Sequence, residues 1–341
     1  MKEIRTEDAL GHVLCHDITR IVRGVSKGTA FCKGHVITQE DIPALLALGK
    51  EHLFVWENLP GMIHENDAAN ILYKICAGTH MKPSEVKEGK IEVRADADGF
   101  FTVDVERLKR INSLGEMMIA TRHTNSPVKK GDILAGTRII PLLISEEKME
   151  SAVQQSGNAP LLTLHPYKPK KVGIITTGSE VYKGLIQDTF TPVLREKTAE
   201  YGAEVIGNVL LGDDNTAITE AVLNFVKQGA ELVLCSGGMS VDPDDRTPLA
   251  IKNAVHSVVG YGAPVLPGAM FMLGYMESGV PVMGLPGCVM YAKRTIFDLI
   301  LPRIMADIPV TEKDIAALGH GGLCLGCKTC VFPNCAFGSG V

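Results

Sequence analysis

The sequence lacks an excess of positive charge. Its formal net charge is -5 at pH 7, and its isoelectric point is near 6.1. A protein that binds DNA or RNA through the phosphate backbone needs a surplus of Lys and Arg on one surface, and the composition provides none. We therefore expect no nucleic-acid partner.

Long apolar runs are also missing. No segment approaches the roughly 18 consecutive apolar residues that a membrane-spanning helix needs. The first eight residues are charged rather than apolar, unlike a secretory leader. We expect a cytoplasmic protein that does not contact membranes.

In other respects the composition is that of an ordinary globular protein, with 45% hydrophobic and 21% charged residues. A chain of 341 residues exceeds the size at which one hydrophobic core keeps growing, so several domains are expected. We predict an N-terminal α+β domain at 1–150, which could also be two modules at 1–56 and 57–150. A linker is expected at 151–170, because its prolines and polar residues resist helix and sheet. An α/β domain at 171–307 and a Cys-rich tail at 308–341 follow.

The N-terminal half mixes helical and strand patterns without regular alternation. Apolar spacing predicts helices near 39–48, 65–77 and 105–120, and β-rich runs predict strands at 91–95 and 100–103. No chemical motif stands out between residues 57 and 165. The patterns therefore predict an α+β fold but suggest no function for this half.

From residue 171 onward, strands alternate with helices. Predicted strands cover 172–176, 204–211, 231–235 and 280–284, and predicted helices cover 189–201, 215–227, a segment starting near Pro248, and 290–305. Nearly continuous apolar strands that alternate with helices indicate a mostly parallel sheet covered on both faces. The expected fold is a three-layer, doubly wound α/β domain, in which ligands bind at the carboxyl ends of the strands.

The loops at those strand ends contain the most distinctive residues of the chain. They are Thr177-Gly178-Ser179-Glu180, Gly212-Asp213-Asp214, Ser236-Gly237-Gly238-Met239-Ser240 and Leu285-Pro286-Gly287. A glycine pair directly after a strand lets backbone N–H groups approach an anion, and the Ser236 and Ser240 hydroxyls would add donors. A tight turn is the alternative explanation for the glycine pair. Four such loops at one edge favour a phosphate site.

Carboxylates follow the glycine pair, at Asp242, Asp244 and Asp245. Carboxylates repel phosphate unless a cation lies between them, and Mg²⁺ is usually held by one or two carboxylates together with phosphate oxygens. These acids also suit the start of a helix at Thr247-Pro248, where Asp244 would cap while Asp245 faces the ligand. The two roles are compatible, so we expect Mg²⁺ at Asp245.

Taken in order, these loops resemble the molybdopterin-binding fold of molybdopterin molybdotransferases and molybdopterin adenylyltransferases. The matching segments also include Gly184-Leu185-Ile186-Gln187-Asp188 and Pro267-Gly268, over about 140 residues. The resemblance implies that Gly237, Gly238 and Ser240 hold the terminal phosphate of the pterin. It also implies catalytic roles for Asp188, Asp242 and Asp245, and a pocket wall at Leu285-Pro286-Gly287.

The N-terminal half resembles the molybdotransferases only in part. Ala9–Leu14 is similar to the opening helix of that family, but about 110 residues separate the similar N-terminal stretch from the pterin domain. The lysines that the family places around Pro-Gly are replaced by apolar residues in Val265–Met270. The acids favour a molybdotransferase-like enzyme that inserts molybdate into molybdopterin or its adenylylated form.

The missing lysines favour a second class, a carrier or sensor that binds molybdopterin without turnover and docks with other cofactor-assembly proteins or a molybdoenzyme. A nucleotide hydrolase on the same fold is a third possibility. The resemblance also implies a homo-oligomer.

The nine cysteines fall into two groups. Cys15, Cys32, Cys76, Cys235 and Cys288 are scattered among apolar neighbours and are expected to be small buried residues. Cys324, Cys327, Cys330 and Cys335 follow a CxxCxxC pattern with a fourth Cys five positions on, which lets four thiolates converge on Zn²⁺ or an iron–sulfur cluster. A disordered reduced tail and a sulfur- or molybdenum-handling site are the alternatives.

Overall fold

The computed structural model describes residues 2–22, 26–55 and 60–340. Within those ranges, no helix has the length and apolar content needed to cross a membrane. The predicted boundary between modules 1–56 and 57–150 falls at residues 56–59, outside the described part of the chain. The remaining residues form α+β structure followed by an α/β domain, as the sequence predicted.

The N-terminal segment is a small unit of two strand pairs and one helix. Its elements are β1 (Lys2–Arg5), β2 (Ile18–Val22), β3 (Ser26–Phe31), α1 (Asp41–Ala47) and β4 (His52–Val55). Strand β1 pairs with β4, and β2 with β3, both antiparallel. Helix α1 confirms the helix predicted near 39–48. The helix that the family resemblance suggested at Ala9–Leu14 is wrong, because these residues form turns and isolated β-bridges.

The following segment has its own core, built from three small sheets and three helices. Its elements are β5 (Met62–His64), α2 (Glu65–Cys76), β6 (Met81–Pro83), β7 (Ile91–Ala95), β8 (Gly99–Val103), α3 (Val105–Asn112), β9 (Met117–Thr121), β10 (Ser126–Val128), β11 (Ile133–Ile139), β12 (Leu143–Ser145), α4 (Glu146–Ser156) and β13 (Leu162–Pro166). The sheet orders are β6-β7-β11-β9, β10-β8-β13 and β12-β5.

Two sequence expectations in this half are wrong. The helix predicted over 105–120 ends at Asn112, and Met117–Thr121 is a strand, because Gly115 with φ of 72° breaks the helix before that run. The segment 151–170, expected to resist helix and sheet, contains the end of α4 and all of β13, which pairs with β8. The domain limits themselves stay a prediction.

The α/β domain has a six-stranded sheet. Its elements are β14 (Lys171–Thr177), α5 (Ser179–Tyr182), α6 (Phe190–Ala199), β15 (Glu204–Leu211), α7 (Asn215–Lys227), β16 (Leu232–Ser236), α8 (Thr247–Ala254), β17 (Ser257–Tyr261), β18 (Met272–Tyr275), β19 (Pro281–Leu285) and α9 (Ile296–Met305). The order is β15-β14-β16-β19-β18-β17. Strands β15, β14, β16 and β19 are parallel, while β18 runs antiparallel to both β19 and β17.

Alternate strand residues enter separate cores on the two faces of the sheet. Ile174 packs in the cluster that contains α6 and α9, whereas Ile175 packs with α7 and α8. The expected three-layer arrangement is therefore confirmed. Strands β17 and β18 were not predicted, and α9 begins at Ile296 rather than near residue 290, since a capping box between Thr295 and Asp298 sets its start.

After α10 (Glu312–Ala317), the chain folds back onto the α/β domain. Leu323 forms a parallel β-bridge with Leu266, and the ring of Phe337 is 6% exposed within the core that contains α9. The side chain of Arg122 from the preceding segment bonds to the side chain of Asn334. The tail is therefore part of the folded structure.

Candidate functional site

The carboxyl ends of four strands lie at one edge of the sheet. The parallel register pairs Thr177 with Leu211, Thr176 with Ser236, and Ser236 with Leu285. The loops that follow β14, β15, β16 and β19 therefore leave the sheet side by side. Strand β18 runs the opposite way and starts opposite Gly284, so the Pro267-Gly268 segment before it reaches the same edge. All five predicted loops share this edge.

The two glycines after β16 adopt a conformation that leaves no room for a side chain. Gly237 has φ of 90°, and a Cβ there would lie 2.1 Å from the carbonyl oxygen of Thr177. Gly238 has φ of 55°, and its Cβ would lie 2.9 Å from Oγ1 of Thr247. Among the hydrogen bonds of the described residues, none is donated by the N–H of Gly238 or Ser240. These groups remain available to an anion.

A buried pair of threonines supports this loop. Oγ1 of Thr177 lies 2.9 Å from Oγ1 of Thr247, and the N–H of Thr247 donates to the carbonyl of Gly238 at 3.3 Å. Thr247 was not predicted as a site residue, because a threonine before a proline is typical of an ordinary helix start. The Ser236 hydroxyl is fully buried and bonds to Thr176, so its predicted role as a ligand donor does not fit its position.

Asp213 joins the loops after β14 and β15. Its Oδ2 accepts from the N–H of Ser179 at 3.0 Å and from the Ser179 hydroxyl at 2.8 Å. Its Oδ1 lies 3.6 Å from the position that a Cβ of Gly238 would occupy. Asp213 therefore brings three strand-end loops together beside the free N–H groups.

The other predicted acids have structural partners. Oδ1 of Asp188 accepts from the N–H groups of Phe190 and Thr191 at the start of α6. Oδ1 of Asp214 accepts from Thr216 and Ala217 and caps α7. Asp214 is thus a helix cap, rather than the ligand contact that the sequence suggested.

Asp242 and Asp245 form a turn beside the glycine pair. The N–H of Asp245 donates to the carbonyl of Asp242 at 2.9 Å, and Oδ2 of Asp245 accepts from the N–H of Asp242 at 3.2 Å. The expected cap at Asp244 is wrong, because the N-cap of α8 is Arg246, without a side-chain bond. In the described ranges, no three His, Cys, Asp or Glu side chains are grouped closely enough to hold a metal ion.

Tyr261 is a supporting residue that the sequence did not reveal. Its hydroxyl donates to the carbonyl of Met239 at 2.9 Å and lies 3.4 Å from that of Ser240. Burial, and then the negative charge of Asp245, raise the pKa of Tyr261, so the hydroxyl keeps its proton. Since β17 was not predicted, no sequence signal linked Tyr261 to the glycine loop.

Apolar side chains are exposed on the loops of the same edge. They include Tyr182, Leu185, Ile186, Val241, Leu266 and Tyr291. Leu285 and Pro286 are buried, whereas Gly287 and Glu180 are exposed. Exposed apolar groups around a polar centre are typical of sites that bind a partly aromatic ligand or another protein surface.

The tail cysteines lie together against the α/β domain, in a cavity that Pro267 also lines. Cys324, Cys327, Cys330 and Cys335 all line one cavity of about 330 Å³. All nine cysteines are free thiols. Cys15, Cys76 and Cys235 are buried as expected, and burial raises the pKa of Cys76 and Cys235 to about 12. Cys32 is exposed, so the expectation of burial is wrong there.

Comparisons with known proteins agree with the fold of the α/β domain. Residues 173–306, less than half of the chain, match a family described as a probable molybdopterin binding domain. Residues 3–57 match a domain of unknown function, DUF8806. This match confirms the resemblance that the sequence motifs indicated.

Each of the curated relatives matches only part of the chain. A molybdopterin molybdenumtransferase from Haemophilus influenzae is 28% identical over 192 residues, or 54% of this chain and 45% of the relative. A CinA-like protein from Mycolicibacterium vanbaalenii is 40% identical over 78 residues, or 23% of this chain and 18% of the relative. The chain therefore spans less than half the length of either curated relative.

Among solved structures, the molybdopterin biosynthesis enzyme MoaB from Thermus thermophilus is 24% identical, with a TM-score of 0.37. The match covers 41% of this chain and 98% of that one.

Proposed function

We propose that residues 171–307 bind molybdopterin or its adenylylated form, and that the protein inserts molybdate during molybdenum-cofactor biosynthesis. The observation that carries this proposal is the meeting of three loops at Gly238, where Asp213, Ser179 and the unpaired N–H groups lie together. A ligand with a terminal phosphate suits such a centre, because backbone N–H groups fixed in advance hold an anion without reorganisation.

The phosphate contacts assigned in this proposal are the N–H groups of Gly238 and Ser240, with the exposed Ser240 side chain beside them. Gly237 serves by allowing the loop to pass within contact of the Thr177 carbonyl. Gly178 and Pro267-Gly268 shape the neighbouring loops. At Gly268 a Cβ would lie 2.5 Å from Cγ2 of Ile296, so only glycine fits there.

The acidic residues fit a magnesium ion if the ligand provides part of the coordination. No three acids of the described chain are gathered for a metal, but Mg²⁺ needs only one or two carboxylates together with phosphate oxygens and water. Asp213, which lies beside Gly238, and Asp245, in the turn that follows the glycine pair, would hold it. When bound, the ion would screen the phosphate from these carboxylates.

The exposed apolar side chains support a site for the ring system of the pterin. Tyr182, Leu185 and Ile186 lie on the loop after β14, and Tyr291 follows the Leu285-Pro286-Gly287 wall. The chemistry proposed here depends on positioning rather than on a covalent nucleophile. Asp188 and Asp242 would act by holding the loops after β14 and β16, through the bonds described above.

A carrier or sensor role is the second candidate, favoured by the apolar residues that replace lysine around Pro267-Gly268. Val265, Leu266, Ala269 and Met270 stand around Pro267-Gly268 where a lysine would bind a nucleotide phosphate. Such a protein would bind molybdopterin and deliver it to another cofactor-assembly protein or a molybdoenzyme. Hydrolysis of simple nucleotides on the same fold is the third candidate.

Two further features belong to the same proposal. The exposed apolar residues of the site edge also suit contact between copies of the chain, and we propose a homo-oligomer. A cytoplasmic location is proposed because nine free thiols suit a reducing compartment.

The decisive experiment is calorimetric titration of the purified chain with molybdopterin and with its adenylylated form, each with and without Mg²⁺, followed by molybdate. Binding of the adenylylated form, with nucleotide release when molybdate is added, supports the transferase. Binding without turnover supports the carrier or sensor. Nucleotide hydrolysis without pterin binding supports the third candidate, and no binding of either pterin overturns the proposal.

A further inference from the structure

We propose that Cys324, Cys327, Cys330 and Cys335 bind an iron–sulfur cluster in the cavity that they line. This inference does not depend on the proposed pterin function, since it rests on the tail and on the residues that the tail contacts.

The first support is that the tail loop is already closed. The N–H of Leu266 donates to Gly322 and the N–H of Cys324 donates to Leu266, both at 2.8 Å. At the other end, the N–H of Gly338 donates to the carbonyl of Gly321 at 3.0 Å, next to the buried ring of Phe337. These contacts already bring the four cysteines together, so less conformational entropy is lost when they bind an inorganic group.

The second support is the placement of the thiols around one cavity. Cys324 and Cys335 are half-buried against the core of the α/β domain, whereas Cys327 and Cys330 are exposed on the outer part of the loop. Thiolates from both sides can thus reach an inorganic group held between them.

The third support is positive charge. Lys293 and Arg294 also line the cavity, and the guanidinium of Arg294 lies 5.2 Å from the centre of the Phe332 ring. Arg294 pairs with Asp298 at 2.8 Å and with Glu200 at 3.5 Å, which offsets its charge, whereas the described residues show no such ion pair for Lys293. Four thiolates around an iron–sulfur core carry net negative charge, and nearby cations reduce the cost of gathering it.

The spacing of the cysteines in the sequence favours a cluster over zinc. A single Zn²⁺ takes four sulfurs at about 2.3 Å, which closes them around the ion. All four thiols line the cavity of about 330 Å³, but no three of them in the described chain are grouped closely enough to surround one ion. In a cluster each iron takes its own thiolate, so the sulfurs stay farther apart, and the CxxCxxC spacing is of ferredoxin type.

The test is anaerobic reconstitution of the full chain with ferric iron, sulfide and excess thiol reductant, whose oxidation to disulfide supplies the two electrons that each four-iron cluster requires. A parallel sample is given Zn²⁺ alone. After removal of excess reagents, we expect about four iron and four sulfide per chain, with visible absorption that dithionite bleaches. Cys327→Ser and Cys330→Ser should lose most of the iron. Both side chains are exposed, so circular dichroism of these variants should match that of the original protein.

The matched control is Cys32→Ser, which removes another exposed thiol outside the tail and should keep full iron and sulfide. One zinc per chain without iron–sulfur incorporation would overturn the cluster assignment. So would no bound metal, or unchanged iron in both tail variants. Pterin titration of the same samples is a separate measurement, so failure here is distinguishable from failure of the proposed function.

Discussion

Thr177 and Thr247 place their hydroxyl oxygens 2.9 Å apart in the interior, although 70 positions separate them in the chain. Thr177 ends β14, and Thr247 begins α8. Because Gly238 lies against both hydroxyls, this pair sets the position of the glycine loop.

The Thr247→Val variant tests that relationship. Valine keeps the shape but leaves the Thr177 hydroxyl with only the Ser236 carbonyl, at 3.3 Å, as a partner. We expect a loss of about 1 kcal/mol in the free energy of unfolding, with weaker molybdopterin binding. Denaturant unfolding and calorimetry measure the two effects. Thr216→Val, at an exposed position of α7, should change neither. Equal effects of both substitutions would contradict the role of the pair.

Two glycines with the same backbone angle provide a matched test of the loop. Gly237 and Gly229 both have φ of 90°, but a Cβ at Gly229 meets nothing within 4 Å. Gly229→Ala should cost only the strain of a positive φ, about 1–2 kcal/mol. Gly237→Ala adds a clash with the Thr177 carbonyl and should cost at least about 1–3 kcal/mol more.

Only the Gly237→Ala variant should lose molybdopterin binding when both are tested under conditions where they remain folded. Denaturant unfolding followed by calorimetry makes the comparison. If both variants bind normally, the glycine loop is not the phosphate site.

Asp213→Asn tests the magnesium proposal. The amide keeps an oxygen for Ser179 but removes the negative charge, so the increase in binding on adding Mg²⁺ should fall by on the order of tenfold. The control is Asp214→Asn, which makes the same charge change at the next residue, where Asn is as good a helix cap as Asp. Titrations with and without Mg²⁺ decide the point. An identical magnesium response in both variants would exclude Asp213 as a ligand.

Asp307 predicts a dependence of stability on pH. Hydrogen bonds from Lys168 and then Lys170 lower the pKa of this carboxyl in the folded state. Its contribution is therefore present above the unfolded pKa, near 4, and is lost as the pH falls through the lower folded pKa. Because the Asp307 side chain is 43% exposed, solvent screening limits the effect to roughly 0.2–1 kcal/mol.

Asp307→Asn should remove this component without backbone strain, since Asn tolerates the φ of 55° found there. The difference between the two proteins should be present at pH 7 and disappear at the acidic end of a denaturation series. Asp244→Asn, at an exposed residue outside this contact, is the control. A difference that stays constant down to the lowest pH would contradict the linkage.

Much of the α/β domain follows from the sequence by itself. Strand β15 and helix α7 have the predicted bounds, and β14, β16 and β19 differ from prediction by one residue at either end. Buried parallel strands are continuous apolar runs, and the helices between them keep a regular apolar spacing, so local patterns were sufficient. The order of the strand-end loops also indicated the edge at which we propose that the ligand binds.

Tertiary structure decided what local patterns do not encode. Strand β18 pairs with β19 and β17 pairs with β18, and this succession brings Tyr261 to the glycine loop. Asp213 and Asp214 are adjacent in the sequence, and only the folded structure shows that Asp213 lies beside Gly238 whereas Asp214 caps a helix. Hydrogen bonds and contacts between residues far apart in the chain make these distinctions, whereas the sequence by itself determined the alternating elements and the residue types available at the site.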